Sequence, residues 1–67
     1  MNTSEIGVAA GKVWGYLAEH GPSSRAQIKK GIDDIDEFTL AAAIGWLARE
    51  DKVDFVPEGR SFNIVLK

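Results

Sequence analysis

The chain has 67 residues, no cysteine and a formal net charge of −2, and 45% of its residues are apolar. This length allows one domain, and the apolar fraction is too high for a disordered chain. The absence of cysteine excludes disulfides and thiolate metal sites, and the acidic balance differs from the basic charge typical of nucleic-acid-binding proteins.

The N-terminal segment MNTSEIGVAAGKVWGYL has no basic region followed by a continuous apolar core, so it is not typical of a signal peptide. No segment is long and apolar enough to span a bilayer. We therefore expect a soluble, cytoplasmic protein. A domain of this size without disulfides depends on very good packing or on self-association for its stability.

The segment SEIGVAAGKVWGYLAEHG predicts a first helix. Thr3 or Ser4 can cap its start, Gly21 can end it in a left-handed conformation, and Pro22 prevents its continuation. The residues at helical spacing that we expect to form its buried stripe are Ile6, Ala10, Val13 and Leu17, flanked by Ala9 and Trp14.

A second pattern runs along the same helix. Gly7, Gly11 and Gly15 recur every four residues, and each costs the helix about 1 kcal/mol relative to alanine. A face of small residues lets another backbone come close. Two interpretations stay open: close packing inside the monomer, or contact with a helix of a second copy.

The segment SSRAQIKKG predicts a short second helix that ends at Gly31. Ser24 and Gln27 have the spacing of a capping box, in which each side chain bonds the backbone of the other residue. The apolar residues that we expect to anchor this region to the core are Ala26, Ile28 and Ile32.

The segment DDIDEFTLAAAIGWLAREDK predicts the third and strongest helix. Asp34 and Glu37 have the spacing of another capping box. The core face of this helix is predicted to consist of Leu40, Ala43, Ile44 and Leu47.

The segments KVDFV, PEGR and SFNIVLK predict a hairpin in which Pro57 and Gly59 supply the turn. Val53 and Phe55 alternate with polar residues on its first strand. On its second strand the alternating apolar residues are Phe62, Ile64 and Leu66. The whole predicted core comprises Ile6, Val13, Leu17, Ile28, Leu40, Ile44, Leu47, Phe55, Phe62 and Ile64.

Three helices followed by a hairpin is the order of elements in a winged helix-turn-helix domain. The segments SSRAQIKKGI and LAAAIGWLAREDKV and the terminal hairpin closely resemble a family of small bacterial winged helix-turn-helix proteins of unknown function. The resemblance covers nearly the whole chain, and IGWLAREDKV is its most specific part. It implies one α+β domain over residues 1–67, with three helices and a C-terminal β-hairpin wing, and it implies no ligand or reaction.

The residues give little support for catalysis. His20 is the only histidine, and at a helix end it can contact the last carbonyls. No nucleophile motif, metal-binding histidine pair or glycine loop accompanies it. The chain has a run of acidic residues whose spacing does not match a calcium-binding loop. They lie at the predicted start of a helix, where carboxylates are favourable: Asp33, Asp34, Asp36 and Glu37. We expect a binding module without cofactor or metal, not an enzyme.

In a helix-turn-helix protein the outer face of the third helix enters the DNA major groove. Here that face is mostly apolar, whereas base contacts use Arg, Lys, Asn and Gln side chains. The acids at its start would repel phosphates. The predicted outer face consists of Phe38, Ala42, Gly45 and Arg49, with Trp46 at its border.

Four basic residues lie elsewhere and could hold a phosphate backbone without reading sequence, or could simply form a solvated surface: Arg25, Lys29, Lys30 and Arg60. Two functions therefore stay open. The first is protein interaction or self-association. The second is weak DNA binding by a transcriptional regulator through contacts with the DNA backbone. We predict a homodimer, in which either of two patches could form the interface. The candidate interface residues are Trp14, Phe38, Ala42, Trp46, Gly7, Gly11 and Gly15.

Overall fold

The computed structural model describes all 67 residues. In chain order its elements are α1 (Thr3–His20), β1 (Ser23–Ser24), α2 (Arg25–Gly31), α3 (Glu37–Arg49), β2 (Val53–Glu58) and β3 (Ser61–Leu66). The strands form one antiparallel sheet in the order β1-β3-β2, in which β2 and β3 make the wing. The predicted α+β winged helix-turn-helix fold is confirmed.

Helix α1 begins slightly earlier than the sequence predicted. Its cap is Asn2, whose Oδ1 accepts a hydrogen bond from Glu5 N at 2.9 Å. The predicted caps Thr3 and Ser4 were wrong because both residues already lie within the helix or its first turn. The helix ends as predicted at Gly21, which has a positive φ of 78°, but the predicted left-handed helical cap was wrong because its ψ is −162°.

The capping box of α2 is confirmed. Ser24 Oγ accepts from Gln27 N at 3.1 Å, and Gln27 Oε1 accepts from Ser24 N at 2.8 Å. Helix α3 is instead capped by Asp36, whose Oδ1 accepts from Thr39 N at 2.7 Å. The capping box predicted to begin at Asp34 was wrong, because Asp34 has a φ of 57° and lies in the turn before the helix.

The core lies where α1 packs along α3 and the sheet covers their ends. The predicted core face of α3 is confirmed, and the wing contributes Val53 and Ile64 from its base. The buried apolar residues are Ala9, Ala10, Val13, Leu17, Ile28, Ile35, Leu40, Ala43, Ile44, Leu47, Val53 and Ile64.

Three predicted core residues lie outside this cluster. Ile6 is half-buried. Phe55 and Phe62 are 41% and 55% exposed, so their assignment to the core was wrong. The alternation on each strand correctly gives the side that faces the helices, but the wing extends beyond α3 and only its base is covered.

Helix α2 is anchored by Ile28, which is fully buried, whereas Ala26 is exposed and the prediction that it anchors the helix was wrong. Gly31 is the last residue of the helix, and a side chain is excluded there for a steric reason. A Cβ at this position would lie 2.2 Å from Cε2 of Tyr16, whose ring stacks on His20 with centroids 4.1 Å apart. The glycine therefore lets α2 approach α1 closely.

The wing turn is shorter than predicted. Pro57 belongs to β2 and pairs with Phe62, so the turn consists of Gly59 and Arg60 alone. Only Gly59 of these two has a positive φ, 60°, which is the pattern of a type II′ hairpin turn. No helix of the protein combines the length and the apolar character needed to cross a membrane.

Candidate functional site

A groove opens between α3 and the inner face of the wing, with a volume of about 370 Å³. One wall is made of α3 residues, and the other wall is made of the wing. The lining residues are Arg25, Ala41, Ile44, Gly45, Phe55, Ser61, Phe62 and Ile64.

Small residues on α3 leave this groove open. A Cβ added at Gly45 would have no other atom within 4 Å, so neither the helix nor the wing fills the space beside it. Phe55 and Phe62 form the opposite wall, since they point toward α3 without reaching the core. An apolar surface that the fold itself leaves uncovered is typical of a binding site.

Phe38 lies beside this groove but does not line it. Its side chain is 75% exposed, the most exposed of the large apolar side chains. Because Phe38, Ala41 and Gly45 are separated by helical spacings, they share one side of α3. We call the surface formed by these three residues together with Phe55 and Phe62 the α3–wing face.

The N-terminal end of α3 is acidic and partly neutralised within the domain. The Arg25 guanidinium pairs with the Glu37 carboxylate and thereby joins the starts of α2 and α3. The hydrogen bond from the backbone N–H of Thr39 lowers the pKa of Asp36, and the charge of Lys29 contributes in the same direction. Asp36 is therefore ionised at neutral pH and adds negative charge where a reading helix would meet phosphates.

The four basic candidates differ in their surroundings. Arg25 is committed to Glu37, and Lys29 lies near enough to Asp36 to affect its titration. Lys30 and Arg60 are exposed and form no ion pair within the domain.

The glycines of α1 lie on an open surface. A Cβ added at Gly7, Gly11 or Gly15 would have nothing within 4 Å, so their interpretation as sites of close packing inside the monomer was wrong. Trp14 borders this surface and is 45% exposed.

The predicted outer face of α3 placed Trp46 beside Phe38, and this was wrong. The two side chains lie on different surfaces. Trp46 is eight positions after Phe38, which rotates its side chain by about 80° around the helix, toward α1. There it is half-buried against the core and lines a second groove, of about 260 Å³, with Gly7, Ala10, Gly11, Trp14, Leu47 and Lys52. Ala42, between the two sides, is half-buried.

The remaining polar groups are used for structure. His20 Nδ1 lies 3.1 Å from the carbonyl oxygen of Tyr16 at the end of α1, as expected for a histidine in the last turn. Every buried side-chain nitrogen or oxygen has a hydrogen-bond partner, and no three His, Cys, Asp or Glu side chains group as metal ligands. A third cleft, of about 300 Å³, lies between α1 and the segment before α3, lined in part by Lys12 and Asp34.

The sequence does not predict the groove itself, because the alternating pattern places Phe55 and Phe62 in the core. One sequence signal could have located it. Phe62 is the second residue of β3 and therefore lies close to the hairpin turn. The helices pack against the other end of the hairpin, so a side chain near the turn is too far away to reach the core.

Comparison with known proteins agrees with this architecture. Residues 1–66 match the family described as "Winged helix-turn-helix domain (DUF2582)". The chain is 38% identical over 65 residues to Uncharacterized protein MJ1608 of Methanocaldococcus jannaschii, covering 94% of this chain and 91% of that protein. The solution NMR structure of protein BT2368 from Bacteroides thetaiotaomicron is similar with a TM-score of 0.86 at 32% identity, over 98% of this chain and 79% of that chain. The chain thus belongs to the winged helix-turn-helix family DUF2582.

Proposed function

We propose that this domain is a non-enzymatic protein-binding module and that the α3–wing face is its binding surface. The observation that carries the proposal is the composition of this face. It is the side that a helix-turn-helix protein presents to the major groove, yet here it consists of exposed aromatic rings around an apolar groove.

The energetics favour a protein partner. Aromatic residues are enriched in the centres of protein interfaces, where charged residues are depleted. Burial of a phenylalanine side chain contributes about 1.5–3 kcal/mol. Phe38, Phe55 and Phe62 are each exposed enough to contribute to binding in this way.

The partner would bind by side-chain packing, not by adding a strand to the wing. The outer edge of β2 offers few free donors, because Pro57 has no N–H and the N–H of Phe55 donates to Asp54 Oδ1 at 2.9 Å. Proline and charged residues are common means of blocking an edge strand.

DNA binding by a regulator is the second candidate, favoured by the fold and by the free charges of Lys30 and Arg60. Fold alone is an argument by analogy. The α3–wing face offers bases few donors, and the acids at the start of α3 oppose phosphates. Contacts made by the basic residues would hold the backbone without reading its sequence.

A titration with mixed-sequence duplex DNA at low and physiological salt separates the two functions. We expect at most weak binding at low salt, lost at physiological salt, because only a few exposed cations are present. Charge reversal at Lys29 and Lys30 should weaken that binding equally for all sequences. Tight, site-specific binding that survives these changes, but is lost when Arg49 or Thr39 is replaced, would contradict the proposed function.

A further inference from the structure

We propose that the occupant of the α3–wing groove is a second copy of this chain, and that the Phe38 ring of each copy enters the groove of the other. The inference rests on the proposed function, because it uses the same face. It names the partner that the shape and charge of this face fit.

The face carries both a projecting ring and a groove. Phe38 projects from α3 and takes no part in lining its own groove, which the same helix walls with Ala41 and Gly45. In a two-fold symmetric dimer the same surface of both subunits forms the interface. The Phe38 ring of each subunit can therefore enter the groove of the other, which gives two equivalent contacts.

The spacing along α3 matches such a dimer. Midway between Phe38 and Gly45 lie Ala41 and Ala42, whose small side chains let two helices approach closely. If the two-fold axis crosses α3 there with the helices antiparallel, Phe38 lies opposite Gly45 of the partner subunit. Since a Cβ at Gly45 has nothing within 4 Å, the space opposite the ring is empty in the monomer.

One pair of charges on this side of α3 is complementary in the same arrangement. The start of the helix is acidic, and Arg49 in its last turn lies on the same side of α3 as Phe38, whereas the following Glu50 lies on another side. Antiparallel pairing about Ala41 and Ala42 places Arg49 beside the acidic segment at residues 33–36 of the partner subunit. Parallel pairing would instead place like charges together at both ends, which is unfavourable.

The glycine face of α1 fits a second copy less well. Its exposed ring, Trp14, is a wall of the groove on its own side together with Trp46. No large apolar side chain on this face is as exposed as Phe38, so the face has a groove but no comparable projection to fill it.

Sedimentation equilibrium from low micromolar to millimolar concentration tests the proposal. We expect a dimer for the wild type and a folded monomer for Phe38→Glu, since this exposed position contributes nothing to the core. Gly45→Leu is the sharper variant. It should also give a monomer, because it fills the space that Phe38 of the partner subunit needs. In melts below the dimerisation range it should nevertheless raise the melting temperature, because it replaces a helical glycine.

Val56→Glu is the matched control, because Val56 is a 45% exposed apolar residue on the side of β2 opposite to Phe55, and it does not line the groove. This variant should remain a dimer. A dimer that survives Phe38→Glu and Gly45→Leu, but dissociates with Val8→Glu or Gly11→Leu, would overturn the proposal and move the interface to α1.

The proposed dimer is also overturned if sedimentation shows that the wild-type protein is monomeric at every concentration. If that monomer fails to bind duplex DNA, only this inference is lost and the protein-binding function stands. If it binds duplex DNA tightly and specifically, the proposed function is lost as well.

Discussion

At the scale of single residues, the glycines of this domain differ in their surroundings more than their sequence positions indicate. Gly31 lies against the Tyr16 ring, whereas Gly15 on α1 faces open space. Both are helical residues, and alanine would be the better helix former at each. Only the packed neighbours decide whether the added methyl group is tolerated.

Replacement of Gly31 by alanine should therefore destabilise the domain. The methyl group would displace a half-buried ring that is stacked on His20, and overpacking of this kind costs about 1–3 kcal/mol. Gly15→Ala is the control and should stabilise by about 1 kcal/mol. Urea denaturation of both variants measures the difference, and equal stability of the two would show that Tyr16 is free to move.

Leu47 tests the core face of α3. It is almost fully buried, and Leu47→Ala should cost about 2–5 kcal/mol through lost burial and a residual cavity. Such a loss is a large part of the roughly 5–15 kcal/mol that stabilises a folded domain. Phe38→Ala, on the same helix but exposed, should change the stability of the monomer by no more than about 0.5 kcal/mol. Thermal melts below the dimerisation range compare the two, and equal melting temperatures would contradict the core assignment.

At the scale of elements, each helix begins at a side-chain cap, and the cap of α3 makes its stability depend on pH. The hydrogen bond from the Thr39 backbone N–H lowers the pKa of Asp36 below its ordinary value of 3.8. A carboxylate with a lowered pKa stabilises the folded state above its ordinary pKa, and this contribution is lost as the pH falls through the folded value.

We therefore expect wild type and Asp36→Asn to respond differently to acid. Asparagine keeps an oxygen that can cap the helix but has no charge to titrate. The melting temperature of the wild type should exceed that of Asp36→Asn at neutral pH, and the difference should shrink as the pH is lowered below 3.8. A difference that stays constant across this range would show that the carboxylate charge adds nothing to the cap.

At the scale of the whole molecule, the domain is small and leaves much of its aromatic surface exposed. A chain of this length buries only about 60% of the surface of its unfolded state. Burial of Phe38, Phe55 and Phe62 in a dimer would add apolar contacts that one copy cannot make for itself.

Stability should consequently depend on protein concentration. Only folded chains associate into the dimer. The melting temperature of a dimeric protein therefore rises with protein concentration by mass action. We expect this rise for the wild type and its absence for Phe38→Glu, measured by calorimetry over the concentrations used for sedimentation. A melting temperature that is independent of concentration for both proteins would contradict self-association.

Much of the fold could be predicted from the sequence, because its signals are local. Apolar spacing along α3 identified the buried face of Leu40, Ala43, Ile44 and Leu47, since a regular helix fixes which residues share a side. The capping box of α2 followed from two residues three positions apart. The family resemblance then supplied the arrangement of these elements in space.

The candidate site was decided by tertiary structure. Alternation along a strand shows which side faces the helices, but not how far the helices reach. Phe55 and Phe62 therefore appeared to belong to the core, although the wing extends beyond α3 and leaves them exposed. The two-residue strand β1 likewise exists only because Ser23 and Ser24 meet β3.

The helices, the hairpin and the mostly apolar composition of the outer side of α3 could be predicted from the sequence, because each depends on neighbours within a few positions along the chain. The contact of Trp46 with the α1 side, the exposure of Phe38 and the groove beside Gly45 became visible only in the folded domain. Exposure depends on the distance between elements that are far apart in sequence, and that distance is set by the packing of the whole chain.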